Sequence, residues 1–262
     1  MNKLISILFT AEVLCCCIPA SPNSTSRQWR GNVEAGRMEV PAVARGDVVI
    51  SHTGYIAGFN CEWLIPNWVA YELTAKELEG TVRRPKNSPF QQDPACEVRQ
   101  PERSDYSHSG WDKGHMAPCA DMKWSEEAMF ESFYFTNICP QDHLFNERDW
   151  QKLEDFGRDI ARSKGAVFIV CGPIVTENKF GKLGPNGVVV PDAFFKAFLY
   201  RDYRGFHSIG FIMPNKYTGR RIEESAMSVN EIESVVGIDL FPELDDKIEE
   251  AVEGQLELND WQ

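Results

Sequence analysis

The densest group of polar residues lies between positions 103 and 154. Its first part, residues 109–118, contains Asp112, Lys113 and His115 on either side of a glycine. A histidine beside a lysine and an aspartate, after a polar loop, has the chemistry of a general base, because neutral imidazole accepts a proton near pH 7. Taken alone, the Lys-Gly-His tripeptide favours the alternative, a structural histidine in a turn.

The second part of this group adds residues that suit a hard cation. Asn137 precedes Pro140-Gln141, and Asn146 and Glu154 follow at the start of the clearest predicted helix, 146–163. Eight helical residues at about 100° each place Asn146 and Glu154 roughly 80° apart, on one side of the helix. Their amide and carboxylate oxygens could hold Mg²⁺ directly or through water. The alternative is a helix cap at Asn146 and a surface Glu154.

Several ordered motifs together resemble one family. They are Asp112-Lys113-Gly114-His115, Asn137 with Pro140-Gln141, and Asn146 with Trp150 and Glu154. These motifs strongly resemble the DNA/RNA non-specific endonucleases, which are ββα-metal nucleases and include endonuclease G-like proteins. The resemblance spans roughly residues 44–248 and includes the segments 66–74, 171–173 and 229–242.

The resemblance implies the chemistry of the centre. His115 matches the general base that takes a proton from the attacking water. Asn146 matches the direct protein ligand of Mg²⁺, and Glu154 matches the acid that holds a metal-bound water. Mn²⁺ or another divalent cation is an alternative metal. The implied reaction is hydrolysis of phosphodiester bonds to 5′-phosphate products.

The resemblance also implies supporting roles. Asn137 matches a residue that orders the site, and Asp112 matches the signature aspartate, which we interpret as bracing the loop. Arg84 matches a phosphate-binding arginine, with Arg83 as the alternative. Lys113 stands where the family usually has arginine, so it keeps the charge but loses the bidentate fork. We expect it to contact substrate.

The expected fold class is α+β, with a mixed or antiparallel central sheet flanked by helices and a ββα-metal motif. Runs rich in β-branched and aromatic residues predict strands at 48–51, 55–59, 68–73, 133–136, 166–171, 193–200 and 206–213. Helices are predicted at 146–163, 228–236 and 245–252, and Ser125 is predicted to begin another. Strands and helices do not alternate regularly, which favours α+β over α/β.

The charge of the chain is unevenly distributed. The 262 residues carry a net charge of −12, which taken alone argues against a nucleic-acid partner. Residues 239–262 contain nine acids and one base, whereas residues 179–221 contain eight bases and two acids. One face can therefore be basic, and the resemblance implies DNA and RNA as partners.

The N-terminus predicts export. Residues 1–20 have a basic Lys3, an apolar stretch and Ala20 before the cut, as in a signal peptide. Cys17 allows a lipoprotein signal as the alternative, so the protein is expected to be secreted or periplasmic, with or without a lipid anchor. The apolar stretch is too short for a stable membrane span. A linker at 21–43, a nuclease domain at 44–248 and an acidic tail at 249–262 complete the predicted organisation.

Several questions stay open at this level. Endonuclease G-like members are often dimers, so a homodimer is implied by resemblance only. The five cysteines beyond the signal match no zinc pattern, and Cys139 and Cys171 are expected to be buried thiols. The tail is expected to be a solvated amphipathic helix, with shielding of the active face or binding of a partner as alternatives. The alternatives to a nuclease are a weak or inactive surface nucleic-acid-binding module and a phosphodiesterase for small diesters.

Overall fold

The computed structural model describes residues 37–43, 46–87 and 89–261. The predicted export signal at 1–20 and most of the linker at 21–43 lie outside these residues. No helix in the described ranges has the length and apolar character needed to cross a bilayer.

A seven-stranded antiparallel sheet forms the centre of the molecule. The strands of the described chain are β1 (Val48–Ser51), β2 (Ile56–Asn60), β3 (Ile65–Thr74), β4 (Asp112–His115), β5 (Ile138–Gln141), β6 (Ala166–Ile174), β7 (Lys182–Leu183), β8 (Val188–Val189), β9 (Ala193–Asp202), β10 (Gly205–Pro214) and β11 (Ala226–Met227). The large sheet has the order β1-β2-β3-β6-β9-β10-β11, while β4 pairs with β5 and β7 with β8. All pairings within these sheets are antiparallel.

Helices cover both faces of this sheet. They are α1 (Arg103–Tyr106), α2 (Glu126–Glu131), α3 (Gln151–Lys164), α4 (Val229–Val236) and α5 (Asp246–Glu253). Strand β9 shows why two faces must be covered, because its side chains alternate between two apolar cores. Phe194 and Phe198 join the core beneath α3, whereas Phe195 and Leu199 join the core beneath α4.

The α+β class with an antiparallel central sheet is confirmed, and most predicted elements are present. Ser125 and Ser228 cap α2 and α4, each accepting a hydrogen bond from a backbone N–H three residues on. The strand predicted at 133–136 is wrong, since Phe135–Asn137 forms a 3₁₀ turn and β5 begins only at Ile138. Strand β4 was not predicted, because its Asp-Lys-Gly-His sequence has little β propensity.

The C-terminal segment contains the expected helix, and one of its faces is packed against the sheet while most of its residues stay exposed. Ser208 on β10 donates a hydrogen bond to the carbonyl of Val252 in α5. Trp261 is buried, with its ring centroid 4.8 Å from that of Tyr200 and 5.8 Å from that of Phe156. The acidic tail is therefore part of the folded domain.

Glu253 in α5 is expected to destabilise the protein above mildly acidic pH. It is 1% exposed, and neither carboxyl oxygen has a hydrogen-bond partner among the described residues. Burial, with the nearby Glu233, Glu249 and Asp239, raises the pKa of Glu253 to about 9. Because the unfolded chain releases this proton at about pH 4.5, the folded state loses stability as pH rises from that value to about 9.

We therefore expect Glu253→Gln to raise the free energy of unfolding by about 1–3 kcal/mol at pH 8, and by almost nothing at pH 4. Urea unfolding at both pH values measures the difference, with the exposed Glu250→Gln as the matched control. An equal effect of Glu253→Gln at pH 4 and pH 8 would contradict a raised pKa.

Candidate active site

A two-stranded hairpin carries the signature residues. Strands β4 and β5 place Asp112 opposite Gln141 and His115 opposite Ile138. Gly114 lies against the Gln141 side chain so closely that a Cβ atom would collide with it. The glycine between Lys113 and His115 is therefore required by the packing of the hairpin.

Asn137 fixes the backbone that follows His115. The Asn137 side chain is fully buried. Its Oδ1 accepts a hydrogen bond from the N–H of Ala117 at 2.9 Å, and its Nδ2 donates to the carbonyls of Ala117 and Ser132 at 2.9 and 2.8 Å. The amide thereby links the end of β4 to the end of α2, which fits the ordering role expected of this residue.

His115 lies between two aromatic rings. The ring centroids of Phe90 and Phe133 are 5.4 and 5.0 Å from the imidazole centroid. Its Nε2 atom is buried without a hydrogen-bond partner among the residues described. Burial, with a smaller contribution from the Arg84 cation, lowers the pKa of His115 to about 3. The imidazole is therefore neutral throughout the physiological range, and the low pKa makes it a weak proton acceptor in the free protein.

Asp112 orients the Asn146 side chain. Its Oδ2 atom accepts a hydrogen bond from Asn146 Nδ2 at 3.0 Å and lies 3.0 Å from Nδ1 of the exposed His143. With its nitrogen held in this way, the Asn146 amide keeps Oδ1 available as a ligand oxygen. Asp112 therefore does more than brace the loop, because it fixes the orientation of the predicted metal ligand.

Glu154 lies one turn into α3, but the helical spacing assumed for it is wrong. Residues Phe145–Trp150 form a π-helical turn before α3, so 100° per residue does not apply between Asn146 and Glu154. Burial raises the pKa of the Glu154 carboxyl to about 7, and the positive charge of the buried Lys196 limits that rise. Glu154 is thus a partly exposed carboxyl group whose charge is influenced by the buried Lys196 cation.

The structure distinguishes the two adjacent arginines. The Arg84 guanidinium lies 5.3 Å from the centroid of Phe133, the ring that packs on His115, and it lowers the pKa of His115. Arg83 instead lines a separate surface groove with Pro85. This placement favours Arg84 over Arg83 for a role at His115.

Lys113 extends from the same face of β4 as His115. Its Nζ atom lies 5.5 Å from the ring centroid of Phe90 and 5.3 Å from that of Tyr106. Burial lowers the pKa of Lys113. The ammonium group of Lys113 therefore lies over two aromatic rings, next to the predicted base.

Two supports of His115 were missed from the sequence. Trp150, present in the motif but given no role, donates a hydrogen bond from its indole nitrogen to the His115 carbonyl at 3.1 Å. His52 anchors the segment that carries Phe90, because its Nε2 lies 2.8 Å from Asp93 Oδ2. Although burial opposes it, hydrogen bonding to Asp93 and Glu131 raises the pKa of His52 to about 9. His143 and His207 also contact carboxylates, and His108 is exposed to solvent.

The donor set fits a hard divalent cation held largely by water. Over the described ranges, no three His, Cys, Asp or Glu side chains are grouped to hold a metal. The oriented amide oxygen of Asn146 and the carboxylate of Glu154 are hard oxygen donors, and Mg²⁺ needs few of them from the protein because it keeps several waters. The five cysteines, Cys61, Cys96, Cys119, Cys139 and Cys171, are free thiols, and the expected burial of Cys139 and Cys171 is confirmed.

Comparisons with known proteins show the family of this chain. The model of the DNA/RNA non-specific endonuclease family matches residues 35–247. "Nuclease EXOG, mitochondrial" of Danio rerio is 31% identical over 208 residues, 74% of this chain and 60% of that protein. A protein named "Nuclease" from Syncephalastrum racemosum is 30% identical over 273 residues, 92% of this chain and 85% of that protein. The chain spans 54–60% of the length of the EXOG relatives that it matches.

A solved structure shares the fold. The structure of this chain superposes on the crystal structure of the EndoG/EndoGI complex with a TM-score of 0.71 at 26% sequence identity. The match covers 79% of this chain and 90% of that one. The family model, the sequence relatives and the solved structure agree with one another, and the chain belongs to the DNA/RNA non-specific endonuclease family.

Proposed function

We propose that this protein is an exported endonuclease that uses Mg²⁺ to hydrolyse phosphodiester bonds of DNA and RNA to 5′-phosphate products. The observation that carries the proposal is the arrangement around β4. Asp112 orients the Asn146 amide at one end of the strand, and neutral His115 lies at the other. The strand thus carries the base itself and the residue that orients the ligand oxygen of Asn146, an arrangement that suits attack by water on a phosphodiester.

The chain supplies the base and its orientation. His115 accepts the proton of the attacking water, since its imidazole is neutral at working pH. Trp150 and Asn137 hold the backbone that follows this residue, through the His115 carbonyl and the N–H of Ala117. The base is thereby preorganised before substrate arrives.

The remaining groups face the charge on phosphate. Arg84 and Lys113 provide cations beside His115, where they stabilise negative charge on the phosphoryl oxygens. Asn146 would ligate Mg²⁺ directly, and Glu154 would hold one of its waters. When bound, the metal would act as a Lewis acid that neutralises charge on the phosphoryl and leaving oxygens.

A basic loop beside the metal ligands favours a polymeric substrate. Asn215, at the end of β10, donates from its Nδ2 to the carbonyls of Pro140 and Pro191. Asp149 in the π-helical turn accepts hydrogen bonds from the N–H groups of Thr218 and Gly219. The loop 215–221 is therefore fixed to the π-helical turn that contains Asn146. Its exposed bases are Lys216, Arg220 and Arg221.

Contacts of this kind recognise phosphate and carry little sequence information, which suits a non-specific enzyme. A small-diester phosphodiesterase would not need a basic loop outside the centre. The export of the protein, its choice of Mg²⁺ and a homodimeric state remain parts of the proposal that rest on the sequence pattern and the family.

The test is to incubate the purified protein with plasmid DNA and with total RNA, in Mg²⁺ and in EDTA. We expect both polymers to be degraded to fragments with 5′-phosphates in Mg²⁺, and neither to be degraded in EDTA. Ligation of the fragments to a 3′-hydroxyl adaptor, with and without prior phosphatase treatment, identifies the 5′ ends. Absence of cleavage by folded protein, with hydrolysis of a small diester instead, would replace this function with the phosphodiesterase alternative.

A further inference from the structure

One face of β4 continues beyond the catalytic residues. Because side chains alternate along a strand, Trp111 and Lys113 are placed on the same side as His115. Contacts support a shared side for Lys113 and His115, because both lie against the ring of Phe90. Trp111, directly before β4, is four residues from His115, or roughly 13 Å along the strand.

Trp111 ends this row in an aromatic pair with Phe180. Their ring centroids are 5.2 Å apart, with 64° between the ring planes. Phe180 is 41% exposed, and Trp111 is partly buried against the core. Phe180 is thus a large apolar side chain that the fold supports on one side and leaves open to solvent on the other.

The loop that carries Phe180 is held firmly. Asp192 accepts hydrogen bonds at 2.8–3.0 Å from the backbone N–H groups of residues 176, 177, 178 and 179. Asn178, two residues before Phe180, has a φ of 50°, a left-handed turn conformation that asparagine adopts more readily than most residues. Four amides gathered on one carboxylate keep the exposed ring in place, as a preorganised binding surface requires.

Cations lie on both sides of this aromatic pair. Lys179 precedes Phe180 and Lys182 begins β7 just after it, and both are exposed to solvent. Lys179 lies 3.4 Å from the Glu177 carboxylate, so Lys182 is the less neutralised of the two. Lys113 lies between Trp111 and His115 on β4. A nucleic-acid strand with one phosphate at His115 would therefore meet further positive charge between His115 and the Trp111–Phe180 pair. Positively charged grooves with exposed aromatic rings are the usual means of holding single-stranded nucleic acid.

We propose that Trp111 and Phe180 form a subsite that stacks one unpaired nucleobase of the substrate strand, on the Lys113 side of the cleavage position. This proposal rests on the proposed nuclease function and deepens it, because it assigns single-stranded or locally unpaired nucleic acid to this part of the groove. Stacking uses the face that every base presents, so the subsite tolerates any sequence. The free face belongs to Phe180, and Trp111 supports it.

The test measures binding without cleavage, in the full-length protein carrying His115→Ala. Its probe is a short fluorescent single-stranded oligonucleotide, together with a series that has one abasic position moved along the strand. We expect an added Phe180→Ala to weaken binding of the intact oligonucleotide by about 5- to 100-fold. Phe180→Trp should retain the affinity, and Tyr203→Ala, in the exposed turn between β9 and β10, is the matched control expected to change nothing.

The abasic series distinguishes the contribution of base stacking to binding from the contribution of phosphate contacts. In the His115→Ala parent, one abasic position should weaken binding as much as Phe180→Ala does, and Phe180→Ala should add no further loss at that position. Equal binding of intact and abasic strands by the parent, or no effect of Phe180→Ala, would overturn the subsite while leaving the nuclease proposal intact. Failure of the folded parent to bind any oligonucleotide would overturn both.

Discussion

Replacing His115 with alanine is expected to reduce cleavage of DNA and RNA by about 10²- to 10⁴-fold at pH 7–8, the range that a general base contributes. The physical reason is the loss of the neutral imidazole that accepts the proton of water. Since the pKa of His115 is about 3, protonation of this base should not limit activity above about pH 4. Initial rates on a defined oligonucleotide, measured across pH, test both statements.

The control for this variant is a second histidine near the centre. His143 contacts Asp112, but its side chain is 58% exposed and does not lie on β4. His143→Ala should therefore retain cleavage within a few-fold of the wild type, while both variants show the circular dichroism of the parent. Comparable losses in the two variants would contradict the assignment of His115 as the base.

Replacing Asn137 with alanine is expected to lower the free energy of unfolding by about 3–5 kcal/mol. The substitution leaves the N–H and carbonyl of Ala117 and the carbonyl of Ser132 without their partners in a fully buried position. Each unsatisfied buried group costs about 1–3 kcal/mol. Activity should fall as well, because Ala117 belongs to the backbone that positions His115.

Urea unfolding compares this variant with Asn230→Ala. Asn230 is an exposed residue of α4, where alanine is expected to alter stability by less than about 0.5 kcal/mol. Similar stability of the Asn137 variant and the wild type would show that the three hydrogen bonds do not hold the hairpin, and would remove the positioning role from Asn137.

Much of the fold could be predicted because its strands are long and its helices are capped. Strands such as β9 are almost continuously apolar, and Ser125 and Ser228 begin helices where their side chains cap backbone N–H groups. The error at 133–136 has a tertiary cause. Aromatic and β-branched residues there favour a strand, but the buried hydrogen bonds of Asn137 stabilise a 3₁₀ turn.

Individual residues of the site could be predicted only from their match to the motifs of the family. Neighbouring Arg83 and Arg84 are equivalent in sequence, and only the position of Phe133, about 50 residues later, separates them. The link from Asp112 to Asn146 joins residues that are 34 positions apart. The π-helical turn at Phe145–Trp150 changes the angle between Asn146 and Glu154, and no helical periodicity reveals it. Local patterns do not encode such long-range contacts.

The central claim, that the oriented Asn146 amide holds the catalytic metal, is tested most directly by a Mg²⁺ titration of cleavage. Wild-type protein and Asn146→Ala would be titrated with Mg²⁺ on the same oligonucleotide, with binding to the uncleaved strand measured in EDTA for both. We predict that Asn146→Ala loses cleavage by at least about 10²-fold or needs far more Mg²⁺, while binding the oligonucleotide in EDTA as the wild type does. Cleavage by Asn146→Ala with the wild-type Mg²⁺ dependence, or wild-type cleavage that persists in EDTA, would contradict the claim.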